Sequence, residues 1–146
     1  MIKSLLALFT LLHSISLNAQ NKKIIGVWWN DTKTSRISVY EENGKIYGKV
    51  IWLKEDVNKD GTSPRRDIHN DKKSLQKRRI LGLVILKDLE WDEDENEWTN
   101  GTIYSPNHGK NFSCYAKLQK NGSLYIKGYL LGMSFFGAST TWTRYK

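Results

Sequence analysis

The chain has 146 residues, a formal net charge of +8 and one cysteine. This length fits one domain with a single hydrophobic core. One cysteine excludes an internal disulfide, so the fold does not depend on one. A basic charge can indicate nucleic acid or an anionic surface, but the cations are scattered along the chain apart from one loop. We therefore expect no nucleic-acid partner.

The N-terminus has the features of a secretory signal peptide. Lys3 gives an early positive charge, residues 5–12 are an apolar stretch, and Ala19 is a small residue at the expected cleavage position. Polar residues interrupt the stretch before it reaches the roughly 18 apolar residues of a membrane span. We expect a signal peptide over residues 1–19 and one domain over residues 20–146, exported to the periplasm or secreted, with no membrane span.

Short runs of β-forming residues alternate with turn signals in the rest of the chain, and no helical period is sustained. Eight strands are predicted, at residues 24–30, 35–40, 45–53, 80–91, 97–105, 110–119, 123–131 and 138–145. Asn43-Gly44 and Asn121-Gly122 are typical of tight hairpin turns. Hairpin-length connections favour an all-β fold, an eight-stranded antiparallel up-and-down barrel of the lipocalin or calycin type with one long loop, over a two-sheet sandwich.

Strand alternation predicts which side chains face inward. Three inner rows are expected: Ile46, Gly48, Val50 and Trp52; Phe112, Cys114, Ala116 and Leu118; Leu124, Ile126, Gly128 and Leu130. The small residues in these rows either leave space for a ligand or allow a curved sheet to pack closely. We expect close packing, because side chains can nearly fill an eight-stranded barrel.

The two chain ends carry residues that fit barrel closure. Gly26 and Trp28 lie in the first predicted strand, and Trp142 and Arg144 lie in the last. In lipocalin-like barrels, a Gly-x-Trp near the start lies beside an arginine of the final strand. We therefore assign these four residues a structural role and expect the Arg144 guanidinium to pack on the Trp28 indole.

Several segments in this order resemble one bacterial family, the domain of unknown function 2147. They are GVW at residues 26–28, IYGKVIWL at 46–53, the Asp67 to Asn70 pair, GTIYSPNHGKNFSCYAKL at 101–118 and LLGMSFFGASTTWTR at 130–144. The resemblance implies a secreted or periplasmic lipocalin-like barrel with no established activity. The chain departs from the family pattern at two places. Ser105 replaces the family's usual Asp, which weakens any binding role assigned to position 105. Asn70-Asp71 replaces its usual Asn-Pro.

The long third connection begins with a turn that is similar to a calcium loop. Its candidate oxygen ligands are Asp56, Asn58, Asp60, Thr62 and Asp67. Against calcium, Asp67 is shorter than the usual closing Glu, two arginines lie nearby and no helices flank the loop. We expect a solvated turn, with weak calcium binding as the alternative, and no other cofactor.

The same connection ends in a basic segment, residues 72–79. Asp67, Asn70, Arg78 and Arg79 are candidate ligand-binding residues, because an arginine can hold a phosphate or carboxylate of an envelope component bidentately. The interpretation we favour is structural. In it, Asp67 and Asn70 bind loop N–H groups, and Arg78 or Arg79 pairs with Asp67.

Catalytic candidates are few after the signal peptide. Asp67 with His69 could act as an acid and base, whereas Ser105 and His108 lie too close along a turn for us to expect them to face each other. Cys114 falls on a core row. No catalytic residue is assigned.

The sequence therefore predicts a monomeric, non-enzymatic module that binds a small amphipathic or anionic ligand at the barrel mouth. One alternative is a structural or interaction protein of the cell envelope with a filled barrel. The other is a hydrolase using Asp67, His69 or His108.

Overall fold

The structure, a computed structural model, describes residues 19–130 and 133–146, with side chains for all of these but 133–136. The predicted signal peptide lies outside the described residues except for its last position. The strands are β1 (Gly26–Trp29), β2 (Ser35–Glu42), β3 (Lys45–Leu53), β4 (Val84–Asp92), β5 (Glu97–Ser105), β6 (Lys110–Leu118), β7 (Leu124–Leu130) and β8 (Met133–Arg144). No helix in this part of the chain is long and apolar enough to span a membrane.

The eight strands form one closed antiparallel barrel in sequence order. Trp28 pairs with Arg144 and Trp29 with Thr143, which joins β1 to β8 and leaves no free sheet edge. This confirms the predicted fold. Because strands run up and down in turn, the β1–β2, β3–β4 and β5–β6 connections lie at one end, and the β2–β3, β4–β5 and β6–β7 turns lie at the other.

Three predicted strand starts differ from the structure by two residues or more. β8 begins at Met133 rather than at residue 138, and the other two differ for local reasons. β1 begins at Gly26 because residues 19–24 are helical. β4 begins at Val84 rather than at residue 80 because Leu83 N–H donates to the Ile80 carbonyl (3.0 Å) in a turn that holds Gly82 at φ 89°. That φ is reached with little strain only by glycine.

Two predicted inner positions are also wrong, because β-bulges interrupt the alternation. The β2–β3 register shifts next to Ile37, so that Trp52 pairs with Arg36 and lies on the same face as it. The Arg36 guanidinium carbon is 4.5 Å from the Trp52 ring centroid. Leu53 takes the inner position instead and lines the barrel interior. A second shift at Leu130 leaves that side chain 51% exposed.

Helical residues 19–24 close one end of the barrel. Asn21 and Ile24 are buried there, and two indoles bind this segment. Trp98 Nε1 donates to Asn21 Oδ1 and Trp28 Nε1 donates to the Ile24 carbonyl, both at 2.9 Å. The indoles therefore fill the closed end and also satisfy polar groups buried with them.

Arg144 binds residues 23–28 from the outer side of the barrel. Its guanidinium carbon lies 4.1 Å from the Trp28 ring centroid, and its Nη atoms donate to the carbonyls of Ile25 (2.8 Å) and Lys23 (2.7 Å). Gly26, at φ 139°, leaves the space that Arg144 occupies, because a Cβ there would lie 2.7 Å from Nη1. The predicted contact between Trp28 and Arg144 is confirmed.

The half of the barrel next to this closed end is packed solid. A Cβ on Gly48 would lie 3.0 Å from Leu86, and one on Gly101 would lie 2.5 Å from Leu89, so these glycines admit neighbouring side chains. Cys114 is fully buried in this core, and burial raises the pKa of its thiol to about 12. A thiol that remains protonated is not a nucleophile.

Candidate functional site

The other end of the barrel is open, and a cavity of about 330 Å³ enters the interior there. Apolar side chains form its walls: Ile37, Val50, Leu53, Ile103, Phe112 and Ile126. Gly128 and Ala138 also line it. A Cβ on Gly128 would come no closer than 3.4 Å to any neighbouring atom, unlike one on Gly48 or Gly101. Our expectation of close packing is therefore wrong for this half of the barrel.

Polar groups from three connections surround the mouth of this cavity. They are Asn30, Asp31 and Thr34 of β1–β2, Arg65 of β3–β4, and Ser105, Asn107 and His108 around the β5–β6 turn. Arg65 Nη2 donates to Asn107 Oδ1 at 2.9 Å, which ties two of the connections together. The cavity thus has an apolar body and a polar rim with one arginine and one aspartate.

The long connection reaches the mouth as a narrow ribbon. Arg66 pairs antiparallel with Arg79, the Ile80 N–H donates to the Arg65 carbonyl (3.1 Å), and the Asp67 N–H donates to the Arg78 carbonyl (3.0 Å). Arg65 and Ile80 both line the cavity. Two residues further along the ribbon, the chain turns Asp67 toward the outer face of β5.

Asp67 is fully buried and is the centre of a polar network under the loop. Its Oδ1 accepts from the Tyr104 hydroxyl (2.5 Å), and its Oδ2 accepts from Asn70 Nδ2 (2.9 Å) and Arg78 Nε (2.7 Å). Burial and the Asp67 hydrogen bond raise the pKa of Tyr104, so its hydroxyl stays a donor. The predicted contact between Asp67 and Arg78 is present.

The β5–β6 turn touches the long connection backbone to backbone. Gly109 has φ 65°, and a Cβ there would lie 1.7 Å from the His69 carbonyl oxygen. Any side chain at this position would push the two segments apart. Gly109 therefore sets how closely the loop can approach the mouth.

The four candidate ligand-binding residues do not line the mouth cavity. Asp67 and Asn70 are buried in the network, and Arg79 Nη2 donates to Asp56 Oδ2 at 2.7 Å. Asn70 and Arg78 instead face a separate groove on the outer wall. Their placement at the mouth is wrong, and their role in binding stays a prediction.

The sequence analysis missed the residues that do form the rim, Arg65, Asn107 and His108. A usable signal was present, because alternate connections of an up-and-down barrel meet at one end. The predicted strand order thus already placed residues 31–34, 54–79 and 106–109 together.

The proposed calcium ligands are engaged in hydrogen bonds within the loop. Asp56 and Asn58 each accept from the backbone N–H of a following arginine at 2.9 Å. Hydrogen bonds from the hydroxyl and backbone N–H of Thr62 lower the pKa of Asp60. Among residues 19–130 and 133–146, no three His, Cys, Asp or Glu side chains form a group that could hold a metal. Calcium binding here stays a prediction that the geometry does not favour.

The hydrolase candidates are only partly brought together. Asp67 makes its hydrogen bonds to other residues than His69. Ser105 Oγ and His108 Nδ1, in contrast, lie 2.8 Å apart, so our expectation that they would not face each other is wrong. The turn causes this, since the His108 N–H donates to the Ser105 carbonyl (3.1 Å). In the described part of the chain, no carboxylate hydrogen-bonds His108 to complete a triad.

Comparison with known proteins agrees with this architecture. The structure described as "Protein HP1028 from the human pathogen Helicobacter pylori belongs to the lipocalin family" aligns with a TM-score of 0.69 and 24% identity, over 84% of this chain and 83% of that one. At this identity the likeness shows the fold alone. No curated protein matches the chain.

A family model matches residues 26–144, from β1 to the end of β8. The family is DUF2147, described as an uncharacterized protein conserved in bacteria. The resemblance seen in the sequence is thus confirmed, and the chain belongs to the DUF2147 family.

Proposed function

We propose that this protein is an exported, non-enzymatic binding module that holds a small amphipathic molecule in the open end of its barrel. The cavity is the observation that carries the proposal. The cavity opens only at the mouth, since the opposite end of the barrel is filled by Trp28, Trp98 and helical residues 19–24. A ligand would enter through the mouth and keep its polar end there.

The cavity suits a short apolar chain. At roughly 30 Å³ for each water-sized group, its volume of about 330 Å³ has room for about ten such groups. This lies near the lower limit of about 300 Å³ for small-molecule sites, which are concave and mostly apolar with a few polar groups. A saturated chain of about ten carbons matches both the volume and the walls.

The rim favours an anionic head group on that chain. Arg65 uses Nη2 to hold Asn107, and a guanidinium has further N–H groups that can meet a carboxylate or phosphate. His108 uses Nδ1 to contact Ser105, so Nε2 is its ring nitrogen for a ligand. Asp31, also at the rim, opposes an anion on the β1–β2 side. The head group therefore belongs beside Arg65.

Two observations support a non-enzymatic role. The Ser105 and His108 pair has no orienting carboxylate within residues 19–130 and 133–146, and the Asp67 carboxylate is occupied by three hydrogen bonds. Export rests on the sequence of residues 1–19. The alternative of an envelope protein with a filled barrel is less well supported, because half of this barrel is not filled.

Calorimetric titration of the purified domain, residues 20–146, with decanoate tests the proposal. Gly128→Val should weaken decanoate binding at least tenfold by filling the cavity, while Lys127→Val, on the outer face of the same strand, should leave it unchanged. Arg65→Gln should weaken decanoate binding by roughly tenfold and leave decanol binding unchanged. Lys120→Gln is the charge-matched control at the other end.

Equal binding by wild type and Gly128→Val would refute the mouth as the site. Hydrolysis of a decanoyl ester by wild type, lost in Ser105→Ala, would refute the non-enzymatic role. Mass spectrometry that finds an unprocessed N-terminus in protein from its own host would count against the proposed export.

A further inference from the structure

A second concavity, here called the outer groove, lies on the outer wall of the barrel. The long connection, the start of β4 and the start of β6 enclose about 420 Å³ between them. Its charged lining residues are Asp71, Lys72, Arg78, Lys87 and Lys110. Four cations and one anion give a formal charge of +3 around one small volume. None of these five residues lines the mouth cavity.

Three of the four groove cations, the lysines, lack compensating partners in the described part of the chain, whereas Arg78 pairs with the buried Asp67. Within the described residues, no ion pair involves Lys72, Lys87 or Lys110. Asp71, the single carboxylate, is an exposed side chain at the groove. Clustered charges of one sign attract counter-ions into a concave surface. The groove thus has the electrostatics of an anion site.

Arg78 is held in position for such an anion. Its Nε donates to the fully buried Asp67 (2.7 Å), and its guanidinium carbon lies 5.0 Å from the Tyr104 ring centroid. The side chain is nevertheless 32% exposed. Its Nε is the nitrogen bound to Asp67, the guanidinium also interacts with the Tyr104 hydroxyl on that side, and Arg78 lines the groove. A guanidinium fixed by one edge presents its two Nη groups to an oxyanion.

We propose that the outer groove binds a phosphate-bearing molecule, with Arg78 contacting the phosphate bidentately and Lys72, Lys87 and Lys110 supplying further charge. Asn111 also lines the groove and offers an amide for a neighbouring hydroxyl. The groove is larger than one phosphate, so a phosphorylated sugar or a diphosphate fits its volume and its charge. The site shares no charged residue with the mouth, although Tyr104 borders both, and it does not depend on the proposed function there.

Titration of the purified domain with inorganic phosphate and pyrophosphate, followed by NMR, locates the site. The Arg78 Nε–H signal and the backbone amides of residues 109–111 should shift, with pyrophosphate binding more tightly. Shifts confined to Arg65 and residues 105–108 would place the anion at the mouth and overturn the proposal. Absence of shifts at millimolar pyrophosphate would overturn it as well.

Two matched double variants separate a site from general charge attraction. Lys87→Gln with Lys110→Gln removes two exposed groove cations, and should weaken pyrophosphate binding by roughly tenfold. Lys117→Gln with Lys127→Gln removes the same charge from the outer face of β6 and β7 and should change it less than twofold. Equal losses in the two doubles would overturn the proposal. Arg65→Gln should leave pyrophosphate binding intact, so failure at the mouth is distinguishable from failure here.

Vesicles identify the source of the phosphate. Flotation with phosphatidylglycerol vesicles that is lost in the groove double but kept in the control double assigns the groove to a lipid head group. Pyrophosphate binding without flotation assigns it to a free phosphorylated molecule. Flotation with neutral phosphatidylcholine vesicles to the same extent as with phosphatidylglycerol, in all variants, would contradict a phosphate site.

Discussion

The two ends of this barrel use the same eight strands but are stabilised differently. At the closed end, Trp28, Trp98, Leu86 and Leu89 are buried to 1% exposure or less, and the main contribution is apolar burial. At the mouth, the interior is left open, and the network around Asp67 orders the long connection outside the barrel wall. Polar contacts there replace packing.

The difference indicates a division of roles. Filling one end stabilises the whole barrel, and the other end is then free to carry a cavity that contributes little to stability. A connection of 30 residues, from Lys54 to Leu83, lies between β3 and β4, and long loops remain ordered only with internal anchors. Asp67 supplies that anchor without occupying the cavity. Changes at the closed end should therefore unfold the barrel, and changes at the mouth should act first on the loop.

The largest effect is expected for Trp28→Ala. It removes a fully buried indole, its hydrogen bond to the Ile24 carbonyl and the surface on which Arg144 stacks. The free energy of unfolding should fall by about 3 to 5 kcal/mol, measured by urea denaturation. Trp52→Ala, a half-buried indole outside the barrel, is the control and should cost less. Equal losses would mean that the closed end is not the main source of stability.

Asp67→Ala should have the next largest effect, and a different one. It leaves the Tyr104 hydroxyl, Asn70 amide and Arg78 Nε without their acceptor, at a cost of about 1 to 3 kcal/mol. Hydrogen exchange should rise across residues 54–79 before it rises in β5 and β6. The Cys114 thiol, in the closed half, should stay unreactive toward a thiol reagent in the folded variant.

Asp71→Ala is the matched control, because that carboxylate is exposed and, although it directly follows Asn70, makes no hydrogen bond to the network among the described residues. It should leave both the melt and loop exchange unchanged. An unaltered melt and unaltered exchange in Asp67→Ala would contradict the anchor role. Lost decanoate binding with unchanged stability would instead assign Asp67 to the ligand.

The sequence was informative where structure depends on neighbours in the chain. β3 and β5 have the predicted bounds, because alternation and flanking turn residues are local signals. The contact between Asp67 and Arg78 was also predictable, since both lie in one connection. Bulges were not predictable. Strict alternation puts Ile51 outward and Trp52 inward, whereas the β2–β3 register shift turns both side chains outward.

The cavity and the network depend on distant residues. Gly48 and Gly128 occupy equivalent positions in the predicted inner rows. A Cβ on Gly48, however, would lie 3.0 Å from Leu86 and 3.1 Å from Ile37, closer than any neighbour of a Cβ on Gly128. The hydroxyl that completes the Asp67 network belongs to Tyr104, 37 residues away. Tyr104 lies within a predicted strand, but alternation along that strand cannot show that the loop covers its hydroxyl.

Gly109→Ala compares a mouth turn with a closed-end turn. Both Gly109 and Gly122 have positive φ, but a Cβ on Gly122 would meet nothing within 4 Å, whereas one on Gly109 would meet the His69 carbonyl. Gly122→Ala should therefore lower the free energy of unfolding by about 1 kcal/mol, through backbone strain alone. Gly109→Ala should lower it by about 2 kcal/mol, because it adds displacement of the loop to the strain. Denaturant melts and loop hydrogen exchange measure both. Equal costs without loop changes would show that the mouth tolerates a wider gap.

Arg144→Met should have the smallest effect and tests how the closed end is held. The substitution keeps an apolar chain over Trp28 but removes the cation and its donors to the Ile25 and Lys23 carbonyls. Because Arg144 is exposed, its contacts compete with water, and we expect a loss of about 0.5 to 2 kcal/mol. Hydrogen exchange should rise at residues 23–28 and stay unchanged at residues 54–79, the reverse of Asp67→Ala. Lys146→Met, a nearby exposed cation, should do neither. If Arg144→Met instead loosened the long connection, the two ends would be coupled, and the division of roles between them would be wrong.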